Sequence, residues 1–246
     1  MKGMILAAGN GTRLKPLTYD IPKALVKIHG RPLLGIVIEK LKDCGFTDLI
    51  VNVHHFADKV VDYLENNDFG LNIEISDERD QLLGTGGAIL KAKSFFEGEK
   101  AFLVHNVDIL SDINLLELFK THLKSKALAT MAVKERLTAR QLLFDSEGNL
   151  CQWKNTETGE AKNVREPFGE LDAFAFSGIH VFDTTFFDYI TETGRFSIIE
   201  AYLRLAVDFD IKAYIHNYSK WHDMGRYQHV QDFNKYGNIK GLIKTK

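Results

Sequence analysis

The sequence is poor in cysteine and has no long apolar run, and both absences narrow the class of protein. Cys44 and Cys151 are its only cysteines, too few for a disulfide framework or a cysteine metal site. We interpret both as buried, reduced thiols. No run approaches the roughly 20 apolar residues of a membrane span, and the apolar part of the opening MKGMILAAG is too short for a signal peptide. These absences predict a cytoplasmic protein without a membrane partner.

An excess of charge of one sign is also missing. The formal net charge is −2 in 246 residues, so the chain has no overall attraction to nucleic acid or to anionic membranes. Its length and hydrophobic content suit one large domain or one domain with a smaller lobe. We therefore expect small-molecule substrates, no nucleic-acid partner, and a monomer or small homo-oligomer.

Several catalytic signatures are absent. The chain has neither a G-x-S-x-G nucleophile elbow nor the GxxxxGK[ST] of a Walker A loop. Its GNGTRL stretch fails the dinucleotide-binding GxGxxG, because Leu14 stands where the third glycine belongs. Asp20 also lies too close to the loop to be the acidic residue that binds a ribose about 20 positions later. These departures argue against a dinucleotide-dependent oxidoreductase.

The first half alternates apolar strands with amphipathic helices, which predicts a doubly wound, mostly parallel α/β sheet. Ligands of such sheets bind beyond the carboxyl ends of the strands. The predicted strands cover 3–8, 48–55, 71–76 and 101–110, and the predicted helices cover 31–44, 56–67, 86–96 and 114–125.

The pattern changes after about residue 127. Short strand signals follow one another, with a candidate hairpin turn at DSEGN, and helical patterns return at 183–193 and 197–208. We predict a smaller, antiparallel or mixed β lobe. With no linker or repeat, the prediction is a single domain over 1–246, with one lobe at 1–126 and the other at 127–246.

The loop after the first strand has the composition of a phosphate site. Glycines let backbone N–H groups approach phosphate oxygens closely, and a guanidinium neutralises them. Gly9, Gly11, Thr12 and Arg13 provide these groups. An isolated GxG after a strand is nevertheless weak and is often only a tight turn.

The longer stretch GNGTRLKPLT followed by PKAL is more specific. It resembles the G-x-G-T-R-x-x-P-x-T…P-K signature of sugar-1-phosphate nucleotidyltransferases. The resemblance implies a Rossmann-like, GT-A-like fold with a nucleotide-binding lobe and a sugar-binding lobe. It also implies that Arg13 and Lys23 bind and neutralise the nucleotide's phosphates, and that Ala8, Gly9, Gly11 and Thr12 line the nucleotide together with Arg13.

A second stretch, DQLLGTGGAI, resembles the family segment that reads the nucleobase edge before a helix begins. The resemblance implies base contacts by Gly84, Thr85 and Gly86, with Gln81 as a polar neighbour. Without the family, the same stretch is either an anion or base platform at a helix start or a flexible turn with an N-cap.

Two aspartates complete the resemblance. FLVHNVDIL delivers Asp108 at the end of a strand, where the family carries its first magnesium ligand, although Val107 replaces the usual glycine. WHDMG resembles the family segment whose aspartate, here Asp223, is the second ligand. Two carboxylates, waters and phosphate oxygens suit Mg2+.

The sugar side is less specific. NVREPFGE resembles a region that offers a glutamate to sugar hydroxyls, which makes Glu166 a candidate, with an exposed loop charge as the alternative. FSGIHVF resembles a strand whose glycine lets the sugar approach the backbone, so Ser177 and Gly178 are candidates.

The implied reaction converts a nucleoside triphosphate and a sugar 1-phosphate to a nucleotide sugar and pyrophosphate. The compact form resembles N-acetylmuramate-1-phosphate uridylyltransferases, which favours UTP with an N-acetylmuramate- or hexose-type 1-phosphate. The LGTGGAI stretch also resembles guanylyltransferases for mannose or heptose 1-phosphate. A non-catalytic nucleotide-sensing relative is the alternative of another class, although Lys23 and both aspartates are present.

Overall fold

The computed structural model describes residues 1–239 and 241–242. The chain divides into two compact units. The first contains Met1–Leu83, Val104–Leu115 and Ser219–Lys246, and the second contains Gly84–Leu103 and Leu116–Tyr218. The assignment of a nucleotide-binding lobe to 1–126 and a sugar-binding lobe to 127–246 stays a prediction.

Strands and helices alternate through the first half, as the sequence predicts. The strands are β1 (Lys2–Leu6), β2 (Lys27–Ile28), β3 (Arg31–Pro32), β4 (Asp48–Val53), β5 (Asn72–Asp77), β6 (Ala101–Asn106), β7 (Ile109–Ser111), β8 (Ala129–Lys134), β9 (Arg140–Phe144), β10 (Leu150–Asn155), β11 (Ala161–Asn163), β12 (Asp172–Asp183), β13 (Ile211–Ile215) and β14 (Trp221–Asp223). The α-helices are α1 (Leu33–Asp43), α2 (Ala57–Glu65), α3 (Gly84–Lys91), α4 (Leu115–Ser125), α5 (Phe186–Tyr189), α6 (Ile198–Leu205) and α7 (Tyr227–Tyr236).

A parallel sheet forms the centre of the first unit. Strand β4 lies between β1 and β5 and pairs in parallel with both, with Asp48 opposite Lys2 on one side and Asn72 on the other. The inner residues of β1 and β4 are buried, as expected for parallel strands covered on both faces. The predicted α/β class with a mostly parallel sheet is confirmed.

Helix α1 shows how local signals set an element's bounds. It begins directly after Pro32 and ends before Gly45, which has φ 87°. Gly45 and Phe46 donate backbone hydrogen bonds to carbonyls in the last turn of α1, and this closure favours glycine because the left-handed conformation carries no Cβ penalty there. The predicted helix at 31–44 is confirmed.

The predicted strand at 101–110 is wrong in one respect, because it breaks in two. β6 ends at Asn106, residues 107–108 form a turn, and β7 begins at Ile109. The Val107 N–H still donates to the Leu6 carbonyl (3.1 Å), whereas the Asp108 carbonyl accepts from Met224 N–H (2.8 Å). The chain therefore leaves the sheet at Asp108 and pairs with β14 instead.

Antiparallel pairing dominates the second unit. Strand β12 pairs antiparallel with β8 and β9, β9 pairs with β10, and β10 with β11, whereas β13 runs parallel to β8. The predicted hairpin turn at 145–149 is confirmed: the Asp145 carboxylate accepts from the N–H groups of Glu147 (3.1 Å) and Asn149 (2.8 Å). This mixed, largely antiparallel pairing agrees with the sequence pattern after residue 127, although the second unit is not smaller than the first.

Stacked phenylalanines fill the core of the second unit. The Phe102 ring stacks on Phe96 at 3.9 Å, on Phe182 at 5.1 Å and on Phe187 at 5.3 Å between centroids. Such offset stacks add to the free energy of burying the rings. The adjacent phenylalanines Phe95 and Phe96, like Phe186 and Phe187, are all buried in this core.

The predicted helix at 183–193 is wrong, because only one turn, α5, forms there. Ile190 is already extended, with ψ 121°. Arg204 explains the early end: its guanidinium donates to the Tyr189 carbonyl (3.0 Å) and forms an ion pair with Glu192 (2.7 Å). These bonds hold the segment after Tyr189 out of the helix. The predicted helix at 197–208 is observed as α6, with a Ser197–Glu200 capping box.

Both cysteines are free, with Cys151 buried and Cys44 partly buried. Within the described residues, no helix has the length and apolar character needed to cross a membrane.

Candidate active site

The loop after β1 is folded tightly onto the segment that follows it. Gly11 has φ 62°, and its carbonyl accepts from the Thr18 hydroxyl (2.8 Å). A Cβ at this position would lie 3.0 Å from Thr18 Cγ2 and 3.2 Å from Lys23 Cβ. The φ of Gly11 therefore favours glycine, and the packing leaves little room for a side chain. Gly9 and Thr12, also predicted to line the nucleotide, are exposed on this loop.

Lys23 lies beside the loop and forms an ion pair with Asp108. Pro22 is extended and Lys23 begins a short 3-10 helix, so the side chain points back toward Gly9, where a Cβ would lie 3.9 Å from Lys23 Nζ. Lys23 Nζ is 2.5 Å from Asp108 Oδ2, with 16% and 10% of the two side chains exposed. At this low exposure each charge compensates the other's desolvation.

The turn at the end of β6 presents Asp108. Val107, which departs from the family's glycine, is fully buried. Among the described residues, positive φ outside glycine is confined to His29, Phe56 and Lys126, so Val107 fits without left-handed strain. The substitution therefore leaves the aspartate in place at the strand end.

A two-stranded ribbon brings Asp223 to Asp108 from a distant part of the chain. In the β7–β14 pair, Asp223 lies opposite Ile109, the residue after Asp108. The Asp223 carboxylate accepts from the Gly225 N–H (2.7 Å). The register of this ribbon thus sets where both carboxylates lie.

Gly225 marks the point at which the charged groups converge. A Cβ there would lie 2.7 Å from Asp108 Oδ2 and 2.8 Å from Asp223 Oδ1. It would also lie 3.2 Å from Arg13 Nη2. Only a residue without a side chain leaves these groups in place, so the structure brings together Arg13, Lys23, Asp108 and Asp223, as the sequence motifs predict.

The donor set at this point fits a hard divalent cation that keeps open positions. Within the described residues, no group of three or more His, Cys, Asp or Glu side chains is arranged to hold a metal. Mg2+ commonly takes only one or two carboxylates and completes its octahedron with water and substrate phosphates. Asp108 and Asp223 supply those two carboxylates, so the residues fit Mg2+ bound together with a phosphate-bearing substrate.

Two buried basic side chains, His105 and Lys40, lie on or in contact with the strands that flank Asp108. Burial lowers the pKa of His105, on β6, to about 4, so its ring is neutral at pH 7. Burial also lowers the pKa of Lys40 on α1, and its ammonium donates to the Ser111 carbonyl of β7 (2.5 Å). Lys40 thereby links α1 to β7, the strand that directly follows Asp108.

The glycines of the second motif have a structural use within the second unit. Gly86 N–H donates to the Phe196 carbonyl (3.0 Å), and a Cβ on Gly86 would lie 2.1 Å from the Phe196 ring. Gly84 has φ 70°, and the Thr85 hydroxyl oxygen accepts from Ile198 N–H (2.9 Å). Packing against residues 196–198 is therefore sufficient to explain why Gly84, Thr85 and Gly86 occur here. Their contact with a base stays a prediction. Gln81 is exposed in the first unit.

The three sugar-side candidates have different environments. Glu166 lies on an exposed loop. Ser177 is fully buried and its hydroxyl pairs with His216 Nε2 (2.7 Å). Gly178 has φ 75° and lies where the β12–β8 register shifts, which is the position of a β-bulge. The roles predicted for these residues stay predictions.

A groove in the second unit was not found by the sequence motifs. It has a volume of about 570 Å3, within the range of small-molecule sites. Trp153 forms part of its wall, and the Lys162 ammonium lies 5.7 Å from the Trp153 ring centroid. Arg140 also lines it, and the described residues offer its guanidinium no ion-pair or hydrogen-bond partner. These side chains are dispersed over three strands, which explains why no local motif revealed them.

Comparison with known proteins gives a family match over nearly the whole chain. The family model described as "Nucleotidyl transferase" matches residues 2–237. The chain is 30% identical over 257 residues to a UTP–glucose-1-phosphate uridylyltransferase of Synechocystis sp., covering 99% of this chain and 63% of that protein. It thus spans less than two thirds of that relative.

A second relative is similar in length. An N-acetylmuramate alpha-1-phosphate uridylyltransferase of Neisseria meningitidis serogroup B is 31% identical over 205 residues, covering 83% of this chain and 84% of that protein. A solved UDP-glucose pyrophosphorylase from Acinetobacter baumanii has a TM-score of 0.79 at 18% identity, covering 97% of this chain and 93% of the other. At this identity the structural likeness concerns the fold alone, and it agrees with the predicted fold.

Proposed function

Because this chain belongs to the nucleotidyl transferase family, we propose that it is a cytoplasmic enzyme that transfers a nucleoside monophosphate from a nucleoside triphosphate to a sugar 1-phosphate. The observation that carries the proposal is the convergence of Asp108, Asp223 and Arg13 around the Gly225 backbone. Two carboxylates and a guanidinium at one point suit a site that binds a metal and a polyphosphate together.

The proposed reaction takes both reacting groups from the substrates. A phosphate oxygen of the sugar 1-phosphate attacks the α-phosphorus of the triphosphate and forms a new P–O bond. The bond from the α-phosphorus to the bridging oxygen breaks, and its electron pair leaves with pyrophosphate. No protein nucleophile is needed, which agrees with the lack of a nucleophile signature in the sequence.

The protein's contribution is then positioning and charge. Arg13 would stabilise the charge on the departing pyrophosphate, and Lys23 would hold the incoming and attacked phosphates close together. Asp108 and Asp223 would hold the metal ion. Mg2+, when bound, supplies positive charge that neutralises phosphate oxygens. The Lys23–Asp108 ion pair (2.5 Å) keeps both side chains near the site without substrate.

The proposed nucleotide is UTP. Both relatives described above are named uridylyltransferases, which supports this choice. Gln81 and the segment through Gly86 are the residues we propose to face the base. GTP with mannose or heptose 1-phosphate is the alternative outcome that a substrate panel distinguishes.

The proposed sugar is one with an acidic substituent, such as N-acetylmuramate 1-phosphate. The groove in the second unit supports this choice, because an aromatic wall packs on the apolar face of a sugar ring and a guanidinium binds a carboxylate in bidentate fashion. Trp153 and the unpaired Arg140 offer these two groups. The name of the Neisseria relative agrees with it.

The experiment is a pyrophosphate-release assay across the four triphosphates and a panel of sugar 1-phosphates that includes acidic and neutral sugars. We expect release that depends on Mg2+, stops with a chelator and is fastest with UTP and an acidic sugar. Replacing Arg140 by alanine should raise KM for the acidic sugar and leave KM for neutral sugars unchanged. Nucleotide binding without release for any pair would contradict the proposal and favour a nucleotide sensor.

A further inference from the structure

Asn52 and Glu78 are buried polar residues that belong to none of the recognised motifs, and only 3% and 1% of their surfaces are exposed. We propose that this pair positions the phosphate-binding loop relative to segment 79–83, which leads into the predicted base platform. They act as positioning residues, and the inference rests on the proposed function.

Asn52 holds the start of the loop. Its side-chain oxygen Oδ1 accepts from Ala7 N–H (2.6 Å) and from Ala8 N–H (3.3 Å). These are the first two residues after β1, where the chain leaves the parallel sheet. Asn52 lies near the end of the neighbouring strand β4, so one amide oxygen fixes the direction in which the loop departs.

The carboxylate of Glu78 binds both Asn52 and segment 79–83. Its Oε1 accepts from Asn52 Nδ2 (2.7 Å) and its Oε2 accepts from Leu83 N–H (3.0 Å). Each carboxylate oxygen thus serves a different partner. The chain of bonds runs from Ala8 through Asn52 and Glu78 to Leu83, entirely within the first unit.

The chemistry of the pair indicates a functional use. A buried carboxylate is costly unless it is paired or fully hydrogen-bonded, and Glu78 forms no ion pair with any described residue. Its negative charge polarises the Asn52 amide and strengthens the bonds from Asn52 to the loop. Apolar side chains would fill the same volume at less cost in stability, but they would not fix both segments.

The geometry permits a charge swap that keeps every bond. In an Asn52→Asp, Glu78→Gln double variant, the new aspartate accepts from the Ala7 and Ala8 N–H groups and from the new glutamine's amide. The glutamine's oxygen then accepts from Leu83 N–H. Asn52→Asp alone places two carboxylates face to face, and Glu78→Gln alone leaves one donor without an acceptor.

The test measures KM for both substrates and the hydrogen exchange of segments 7–11 and 79–83. We expect each single variant to raise KM for the triphosphate by about tenfold or more, the effect of one lost buried hydrogen bond. KM for the sugar 1-phosphate should change little. Exchange should accelerate in both segments, and the double variant should restore KM and exchange. Glu74→Gln, the same change at an exposed position of β5, is the matched control and should behave as wild type.

The possible results are separable. If the single variants keep the wild-type KM and exchange, or if the double variant is no better than the worse single variant, the pair does not position these segments. If the wild-type protein releases no pyrophosphate, the proposed function fails. The exchange data then still decide the positioning: acceleration in both segments and its reversal by the swap support it, and their absence overturns it.

Discussion

The two units bury different kinds of polar groups. The interior of the first unit holds Lys40, Glu78 and Asp108, whereas among the buried residues described in the second unit the hairpin residue Asp145 is the only Asp, Glu, Lys or Arg. Buried charge costs stability and tends to mark functional sites. The buried charges of the first unit therefore lower its stability in the region where ligands are expected to bind.

Pairs between a histidine and a hydroxyl group are the main buried polar contacts of the second unit. His122 bonds to the Thr130 hydroxyl (2.9 Å), His180 to the Tyr202 hydroxyl (2.6 Å) and His216 to the Ser177 hydroxyl (2.7 Å). Together with the stacked phenylalanines these pairs favour a well-packed scaffold. The comparison predicts that substitutions of buried polar residues in the first unit affect turnover and that substitutions of buried residues in the second unit affect stability.

The largest expected effect comes from the charge at the centre of the first unit. Asp108→Asn should lower the rate of pyrophosphate release by about 10²–10³, the usual effect of removing one electrostatic group. The fold should persist, since the side chain keeps its shape. Asp145→Asn is the matched change in the second unit and should lower the unfolding free energy while sparing turnover. Near-normal turnover in Asp108→Asn, measured by steady-state kinetics, would contradict the assignment.

Gly225 tests whether space, rather than charge, is essential. Gly225→Ala places a methyl group 2.7 Å from Asp108 Oδ2, so we expect turnover to fall by about tenfold or more as the carboxylates separate. Gly148→Ala in the second unit meets no atom within 4 Å but has φ 78°. It should lower only the free energy of unfolding, by about 1 kcal/mol. If both variants lose turnover equally, the crowding at Gly225 is not the cause.

Substitutions in the aromatic stack of the second unit should lower stability and leave turnover unchanged, the reverse of what is expected for Asp108. Phe182, which is fully buried, stacks on Phe102 and Tyr202, so Phe182→Leu should lower the unfolding free energy by about 1–3 kcal/mol. The kinetic constants of the folded enzyme should remain near those of the wild type. Chemical denaturation and steady-state kinetics on the same sample check the stability and the kinetic constants. A large loss of kcat without a loss of stability would contradict the proposed difference between the two units.

The smallest effect is a dependence of stability on pH. Burial lowers the pKa of His122 from 6.5 to about 4, so below pH 6.5 the unfolded chain binds a proton that the folded chain does not. Stability is therefore fully present above that pH and falls as the pH falls. Between about pH 7 and 5.5 the contribution of His122 should decrease by about 1 kcal/mol. His122→Gln should remove this part of the slope in denaturation curves, and an unchanged slope would show that His122 does not titrate as expected.

The sequence predicts well what depends on short contiguous patterns. Alternating strand and helix signals give the parallel sheet, and the motifs around Arg13, Lys23, Asp108 and Asp223 identify residues that the structure brings together. Their roles in binding nucleotide and metal stay predictions. The resemblance to a family supplied these motifs, because Asp223 alone is an ordinary turn residue in the sequence.

What the sequence does not predict depends on partners far along the chain. Asn52 and Glu78 have no local signature, since their bonds reach two segments that follow different strands, β1 and β5, at the carboxyl end of the parallel sheet. The helix predicted at 183–193 does not form in full because the Arg204 guanidinium donates a hydrogen bond to the Tyr189 carbonyl. Strand 101–110 breaks because β14 competes with the sheet for the residues after Asp108. In each case a long-range contact overrides the local preference.

The β7–β14 ribbon has a consequence for how the protein acquires its site during synthesis. A ribosome makes the chain from its amino terminus, so the sheet strands, Lys23 and Asp108 emerge long before Trp221–Asp223. Until β14 is made, β7 has no partner in the ribbon, and Asp108 has Lys23 but not Asp223. The nascent protein can therefore form its parallel sheet early, whereas its second carboxylate arrives more than a hundred residues after the first.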